Sequence, residues 1–202
     1  MLNYEKENFK GKLIAGCDEA GRGPVCGPLV AACVILPIDY INDKINDSKK
    51  LSEKQREILF DEIKNVALDY YIEIRSVEDI NNSNPKAESR IGMAKAIKQL
   101  KIKPEHVLTD FEKIEIDIPQ TNLVKGDEIS LNIAAASILA KVTRDKILYE
   151  YDKKYPEYGF KNHKGYLTKN HLEALKKYGV IEGFYRVKYK PIRNIINNEK
   201  NN

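Results

Sequence analysis

Asp18 and Glu19 are adjacent carboxylates that follow a short apolar stretch and precede the run Gly21-Arg22-Gly23-Pro24. Neighbouring carboxylates repel each other and lose hydration in a cleft, and a divalent cation offsets both costs. Glycines beside them can turn backbone amides toward an anion. The pattern indicates a metal site next to an anion-binding turn, and therefore chemistry on phosphate. On these residues alone, the alternative is an ordinary strand-to-turn junction with solvated acids.

Two further acids, Asp110 and Asp127, each end a strand-like segment. Open α/β sheets gather functional side chains at strand ends, so we expect both to converge with Asp18 and Glu19. Adjacent residues on a regular strand face opposite ways, so this acid pair shares a metal only if the strand twists or breaks, which Gly21 allows. Without a Cys or Ser nucleophile motif, four acids indicate metal-assisted phosphoryl transfer by Mg²⁺ or Mn²⁺ ions about 3.5–4 Å apart. Taken singly, each of the later two acids is more typical of a turn or a cap.

The elements that must position these acids alternate along the chain. The first strand is predicted to end at Asp18, and the unbroken apolar run 29–36 indicates a strand covered on both faces. Ser52 is the predicted N-cap of a helix over 53–66. Further predictions are a strand over 70–75, helices over 85–100, 133–151 and 169–178, and a disordered polar tail over 194–202. This order predicts an α/β fold with an open mixed sheet.

Composition places the chain among globular proteins, with 202 residues, 42% hydrophobic and 32% charged. No apolar stretch is long enough to cross a membrane, and the polar N-terminal segment predicts neither a secretory signal nor an anchor. Cys17, Cys26 and Cys33 fall in one short apolar region without zinc-ligand spacing, so we expect buried, reduced thiols. These features predict a cytoplasmic protein with no membrane partner.

The formal charge of +4 is only mildly basic, but the distribution of the basic residues is informative. Residues 141–200 combine many lysines and arginines with interleaved tyrosines. Such a mixture suits a surface that grips a nucleic-acid backbone and stacks on sugars or bases. The alternative is a solvated helical face whose tyrosines close a small core.

Several long motifs, in order from about residue 13 to residue 191, resemble those of the bacterial ribonuclease HII family, which are type 2 ribonucleases H. The motifs that carry the resemblance are Asp18-Glu19-Ala20-Gly21-Arg22-Gly23-Pro24, Gly27-Pro28, Asp47-Ser48-Lys49-Lys50-Leu51-Ser52, Lys125-Gly126-Asp127, the run 133–145, Tyr155-Pro156, Tyr158-Gly159-Phe160 and His163-Lys164-Gly165-Tyr166. The sister family, ribonuclease HIII, usually has a different sequence after its acid pair and an additional N-terminal domain. The Gly-Arg-Gly turn favours the HII family.

The resemblance implies a ribonuclease H-like fold, a mixed five-stranded sheet flanked by helices with a C-terminal helical extension. We expect a catalytic core over 1–145, a helical subdomain of the same domain over 146–193, and a flexible tail over 194–202. The implied activity is two-metal-ion hydrolysis of RNA in RNA–DNA hybrids, and cleavage 5′ to single ribonucleotides embedded in duplex DNA, leaving 3′-OH and 5′-phosphate ends. Roles in DNA replication and repair, by removal of RNA primers and misplaced ribonucleotides, follow from that activity.

The resemblance also implies roles for individual residues. Asp18, Glu19, Asp110 and Asp127 match the four catalytic, metal-binding acids, with Mn²⁺ or Mg²⁺ as cofactor. The substrate contacts comprise the turn Gly21, Arg22 and Gly23, which reads the ribose 2′-OH; Tyr166, which packs on the neighbouring deoxyribose; and the phosphate contacts Lys49, Lys50, Lys141 and Lys164. A 2′-OH is the group that marks a ribonucleotide's sugar, and backbone donors can test for it. We expect a monomer, with no replication-protein partner specified.

The chain departs from the family pattern at a few positions. Phe111 stands where the family usually has Gly after the third acid, and Leu167 where it has Gly after the tyrosine. The usual C-terminal His-Arg and Ser-Phe pattern is replaced by the segment 184–189. Two other functions stay open on the residues alone: a nucleic-acid-binding module with structural acids, and a nuclease or transposase acting on all-DNA duplex.

Overall fold

The structure is a computed structural model that describes residues 4–46 and 48–200, without the side chains of 198–200. The strands are β1 Ile14–Ala20, β2 Leu29–Ile35, β3 Asp69–Arg75, β4 His106–Asp110 and β5 Gln120–Leu123. The helices are α1 Tyr4–Asn8, α2 Glu53–Val66, α3 Val77–Asn82, α4 Pro85–Gln99, α5 Leu131–Lys154, α6 Phe160–His163, α7 Lys169–Tyr178 and α8 Lys190–Lys200. Two 3₁₀ turns cover Gly126–Glu128 and Pro156–Tyr158.

The five strands form one mixed sheet in the order β3-β2-β1-β4-β5. β1 pairs antiparallel with β2 and parallel with β4, while β5 continues the parallel side. The central strand β1 and its parallel neighbour β4 therefore end at the same edge of the sheet. The mixed five-stranded sheet flanked by helices is confirmed.

Strand β2 is buried along its whole length, as its apolar run predicts. Val30, Ala32 and Val34 pack with α2 and α5, whereas the alternating Ala31 and Cys33 pack with α4. Alternation of this kind follows from the two-residue period of a strand. The sheet is consequently the middle of three layers.

Two predicted strand ends are wrong. β1 continues through Glu19 to Ala20, with Asp18 paired to Ala32, so the strand does not break between its two acids. β5 stops at Leu123, and Asp127 instead lies in the following 3₁₀ turn. Lys125, at φ 56°, takes a left-handed conformation that ends the extended chain before the acid.

The C-terminal part has its own apolar cluster, built around Tyr158, Phe160, Leu175 and Phe184. Helix α5 runs unbroken across the predicted boundary at residue 145, so the core and the C-terminal part share one helix. The predicted disordered tail is wrong for residues 194–200, which belong to α8. Ile192 is buried in this cluster, and the partly buried Ile195 and Ile196 pack against it. The segment is helical despite its polar composition because these isoleucines form one apolar face of the helix. The last two residues lie outside the described part of the chain.

The cysteines are buried as expected, but they are not all reduced. Cys17 and Cys33 face each other across the β1–β2 pair and are joined in a disulfide. Cys26 is free and buried, and burial raises the pKa of its thiol to about 12. The sequence spacing of Cys17 and Cys33 does not reveal that register places them opposite each other.

Within the described residues, no helix combines the length and the apolar character that a membrane crossing requires.

Candidate active site

A cleft of about 450 Å³ opens where β1 and β4 end, and most of the predicted chemistry lies on its walls. The lining residues are Asp18, Glu19, Ala20, Gly21, Arg22, Gly23, Ser48, Lys49, Arg56, Asp110, Ser137, Lys141, Arg144 and Tyr166. A larger groove of about 1120 Å³ is lined by residues between 97 and 120 and contains none of the four acids. Titratable groups that converge in a cleft are a better guide to chemistry than volume alone, so the smaller cleft is the candidate site.

Asp18 and Glu19 point to opposite layers of the sheet because β1 is regular at this position. Asp18 is only 6% exposed and interacts with Ser137 of α5. Glu19 interacts with Ser89 of α4 and lies 3.4 Å from the guanidinium of Arg22. The adjacent acids therefore straddle the strand.

Asp110 and Asp127 are joined through the 3₁₀ turn. The Asp110 carboxylate accepts a 2.8 Å hydrogen bond from the amide of Gly126, the residue before Asp127. Asp127 is buried, and its Oδ2 lies 3.4 Å from the ammonium of Lys49. The strand end and the turn thus bring the third and fourth acids together, although Asp127 does not line the cleft.

Burial and mutual repulsion disfavour the ionised acids. Burial raises the pKa of Asp18 well above its usual range, and the charges of Glu19 and Asp110 raise it further. Burial also raises the pKa of Glu19, against the opposing effect of Arg22. The pKa of Asp110 rises through burial and the charge of Asp127, against its hydrogen bond from Gly126.

Such a cluster fits hard divalent cations, which prefer carboxylate oxygens and relieve their repulsion. Among residues 4–46 and 48–200, however, no three His, Cys, Asp or Glu side chains already surround a common point as ligands of one ion. The chemistry of the donors fits a metal, whereas a finished coordination shell is not preformed.

The turn Gly21–Gly23 continues directly from β1 and requires its glycines. Gly21 has φ +103°, and a Cβ there would lie 2.3 Å from Nε of Arg144. A Cβ on Gly23 would lie 3.1 Å from the ring of Tyr166. The turn therefore packs tightly between a buried arginine and an aromatic ring.

Two buried arginines and one tyrosine hold carbonyl groups of the segment 22–28, which begins in this turn. Arg144 donates to the carbonyls of Pro28 and Cys26 at 3.0 and 3.1 Å. Arg186 donates to the carbonyls of Arg22 and Pro24 at 3.2 and 2.8 Å, and to neighbouring ones. The hydroxyl of Tyr189 donates to the Arg22 carbonyl at 2.7 Å.

Within the turn, the carbonyl of Arg22 is occupied by Arg186 and Tyr189. No acceptor for the amides of Arg22 and Gly23 is found within the described ranges. The C-terminal segment 184–189, which departs from the family pattern, thus supplies Arg186 and Tyr189 as contacts to the turn. Its atypical sequence still anchors the turn.

Tyr166 forms the opposite wall, with its side chain 53% exposed. Its carbonyl accepts a 2.9 Å hydrogen bond from Nδ1 of His171, whose Nε2 lies 2.8 Å from the hydroxyl of Tyr185. A carbonyl can only accept, so Nδ1 carries the proton. This chain of contacts fixes the backbone of Tyr166 and leaves its ring facing the cleft.

The four predicted phosphate-binding lysines separate into two pairs. Lys49 and Lys141 line the cleft, the latter 2.8 Å from Asp145. Lys50 lies outside the cleft lining and 3.4 Å from Glu128. Lys164 is 15% exposed, donates to the hydroxyl of Tyr149 at 2.6 Å, and has its pKa lowered by burial. The structure therefore brings only the first pair to the acids; Asp47 of the same motif lies outside the described residues.

Four residues at the site lie outside the predicted set of site residues, although Ser137 belongs to the run 133–145 that carries the resemblance. Arg56 of α2 lines the cleft and donates to the carbonyls of Ser48 and Leu51, which fixes the loop that carries Lys49. Ser137 lies 3.0 Å from the hydroxyl of Ser48. The other two, Ser89 and Glu112, contact Glu19 and Arg22 from α4 and from beyond β4. All four depend on tertiary contacts.

Comparison with known proteins agrees with this geometry. The family model described as Ribonuclease HII matches residues 15–192. A Ribonuclease HII of Clostridioides difficile (strain 630) is 54% identical over 180 residues, which cover 88% of this chain and 71% of that protein. The crystal structure of the ribonuclease H2 from Pyrococcus horikoshii OT3 has a TM-score of 0.81 and 28% identity, covering 94% of this chain and 99% of that one.

A more distant structure, Bst-RNase HIII in complex with Mn²⁺, shares the fold with a TM-score of 0.69 at 14% identity, over 97% of this chain and 73% of that one. The match of the family model, of the sequences and of the fold leads to one assignment. The chain belongs to the ribonuclease HII family, the endoribonucleases that cleave RNA in RNA–DNA hybrids.

Proposed function

We propose that this chain cleaves duplex DNA on the 5′ side of an embedded single ribonucleotide, in addition to RNA in RNA–DNA hybrids. The observation that carries the proposal is the shared cleft. Its walls hold Asp18, Glu19 and Asp110 together with the turn Gly21–Gly23 and the ring of Tyr166. A sugar bound against the turn and the exposed side of the ring would lie beside the acids.

The turn supports recognition of the ribose through its backbone. Arg186 and Tyr189 hold the carbonyl of Arg22, and the amides of Arg22 and Gly23, which have no acceptor among the described residues, would meet an oxygen of the substrate. A 2′-OH accepts as well as donates, and DNA lacks it. Tyr166 would then pack on the adjoining deoxyribose. The close contact between Gly23 and the Tyr166 ring holds the turn and the ring side by side for this purpose.

Asp18, Glu19, Asp110 and Asp127 would hold two divalent cations, Mg²⁺ or Mn²⁺. When bound, such ions stabilise charge on the phosphate and provide a water of lowered pKa. Lys49 and Lys141 line the same cleft and would contact substrate phosphates. Hydrolysis would break the bond between phosphorus and the 3′ oxygen, leaving a 3′-OH on the deoxynucleotide and a 5′-phosphate on the ribonucleotide.

The proposed activity suits removal of misplaced ribonucleotides and of RNA primers during DNA replication and repair. We also propose that the protein works as a monomer, because a single chain supplies every wall of the cleft. No partner protein is needed for the chemistry described.

Three matched duplexes test the proposal: one with a single ribonucleotide, one an RNA–DNA hybrid and one entirely DNA, each with Mg²⁺ or Mn²⁺. We expect the wild type to cut the first two, and the first only at the 5′ side of the ribonucleotide. Asp18→Asn and Asp110→Asn should reduce cleavage of both by orders of magnitude while preserving the fold. Cutting of the all-DNA duplex, or full activity in both variants, would refute the proposal.

A further inference from the structure

Glu112 lies two residues beyond Asp110, is 1% exposed, and faces three basic side chains. Its Oε2 accepts a 2.8 Å hydrogen bond from Nε of Arg90. Its Oε1 lies 3.1 Å from Nη2 of Arg22 and 3.9 Å from Nζ of Lys86. A buried carboxylate therefore gathers three cations at the border of the cleft.

The backbone of Glu112 is fixed independently of these ion pairs. Its amide donates to the carbonyl of Asp110 at 2.7 Å, and its own carbonyl accepts from Thr109 and Asn122 at 2.7 and 3.0 Å. The position of the carboxylate follows from this anchoring. The cations around it are consequently ordered before any ligand arrives.

The basic side chains remain accessible even though their anchor is not. Arg22, Arg90 and Lys86 are 37%, 44% and 54% exposed. Arg22 also pairs with Glu19, whereas Arg90 and Lys86 both pair with Glu112. One cation would neutralise Glu112, so the other groups are in surplus for a purely structural ion pair.

The location of these groups completes the argument. Lys86 and Arg90 belong to α4, which covers the face of the sheet opposite to α2 and α5. Lys49 and Lys141 border the cleft from the side of α2 and α5. A nucleic-acid strand that crosses the acids would therefore meet cations on both sides.

We propose that Lys86 and Arg90, ordered with Arg22 on the buried Glu112, bind backbone phosphates of the substrate that flank the scissile bond on the α4 side. The proposal rests on the proposed function, since it concerns the same substrate. Arginine forks held by a carboxylate still present free N–H groups, which suit phosphate oxygens.

The test is the salt dependence of binding for Lys86→Ala, for Lys86→Ala with Arg90→Ala, and for the control Lys95→Ala with Lys98→Ala. The control removes the same charge from α4 farther along the helix. Each lost phosphate contact lowers the slope of log affinity against log salt by about 0.9. We expect slopes reduced by about 1 in the single variant, by about 2 in the double variant, and unchanged in the control.

A substrate series with a neutral methylphosphonate at one position after another provides a second readout. Neutralising a contacted phosphate should weaken substrate binding by the wild type. The same methylphosphonate should leave substrate binding by the double variant unchanged. The Lys86→Ala variant keeps the Arg90–Glu112 pair, so it separates loss of contact from loss of fold. If the wild type cleaves and the double variant keeps the wild-type salt slope, this inference alone is overturned. If the wild type cuts no ribonucleotide-containing duplex, the proposed function is overturned.

Discussion

Acid should destabilise this protein partly through His171, and the structure allows the size of the effect to be worked out. His171 is fully buried and stacks on His163 with ring centroids 4.0 Å apart. Its two nitrogens are committed to the carbonyl of Tyr166 and the hydroxyl of Tyr185. Burial lowers the pKa of His171 from 6.5 to about 4, and the neighbouring His163 contributes in the same direction.

The sign follows from proton binding. Between pH 6.5 and about 4 the unfolded chain protonates this imidazole while the folded chain keeps it neutral, so stability falls as the pH falls through that window. A full shift of this size corresponds to about 3 kcal/mol, of which about 2 kcal/mol is lost between pH 7.5 and pH 5. Burial also lowers the pKa of His163, which adds loss of the same sign.

Urea unfolding of the wild type and of His171→Gln, at pH 7.5, 6 and 5, isolates this contribution because other groups titrate in both proteins. The variant should be less stable at pH 7.5, since it loses packing and one hydrogen bond. The gap between the two proteins should then narrow by about 2 kcal/mol at pH 5. A gap that stays constant across these pH values would show that His171 is not held neutral in the fold.

Three other substitutions test separate parts of the structure. Phe111 has φ 63°, which costs a side-chain-bearing residue about 1 kcal/mol, so Phe111→Gly should match or exceed wild-type stability and Phe111→Val should lose about 1 kcal/mol in urea unfolding. Glu5 is buried and accepts hydrogen bonds from Ser130 and from the amide of Asn132 at the start of α5, so Glu5→Gln should lower the free energy of unfolding by about 1–2 kcal/mol. The exposed Glu7→Gln serves as its control, and equal losses in both would contradict the capping role. In the absence of divalent metal, Asp18→Asn should raise the thermal unfolding midpoint, because burial and the charges of Glu19 and Asp110 disfavour the ionised Asp18 carboxylate in the folded state. The control is the exposed Asp61→Asn, and equal midpoints in the two variants would contradict this prediction.

Much of the fold is readable from the chain because its signals are local. Ser52 caps α2 in a capping box with Gln55, and the apolar run of β2 is buried on both faces as predicted. The prediction of a disordered tail is wrong because the structure of residues 194–200 depends on contacts that are distant in the sequence. Its isoleucines form a helical stripe only against a surface built from distant residues such as Phe160 and Leu175.

The site residues also separate into those whose positions follow from local sequence and those whose positions depend on tertiary contacts. Asp110 ends β4 as predicted, since a strand end can be read from the pattern of its own residues. The position of Asp127 depends on the left-handed Lys125, which nothing in the local pattern indicates. Glu112 and Arg56 act on the cleft through contacts between elements, so single-sequence spacing carries no trace of them.

The regular course of β1 gives the adjacent acids different neighbours, and this bears on why both are needed. Asp18 meets the α5 layer through Ser137, while Glu19 meets the α4 layer through Ser89. One carboxylate could not face both layers, because a strand turns successive side chains to opposite sides. Burial of both costs stability unless positive charge enters between them, since each lies in a low-dielectric environment near other acids. The fold thus keeps an anionic groove along the end of the sheet and flanks it with cations from both layers, an arrangement suited to a phosphodiester that arrives with divalent metal.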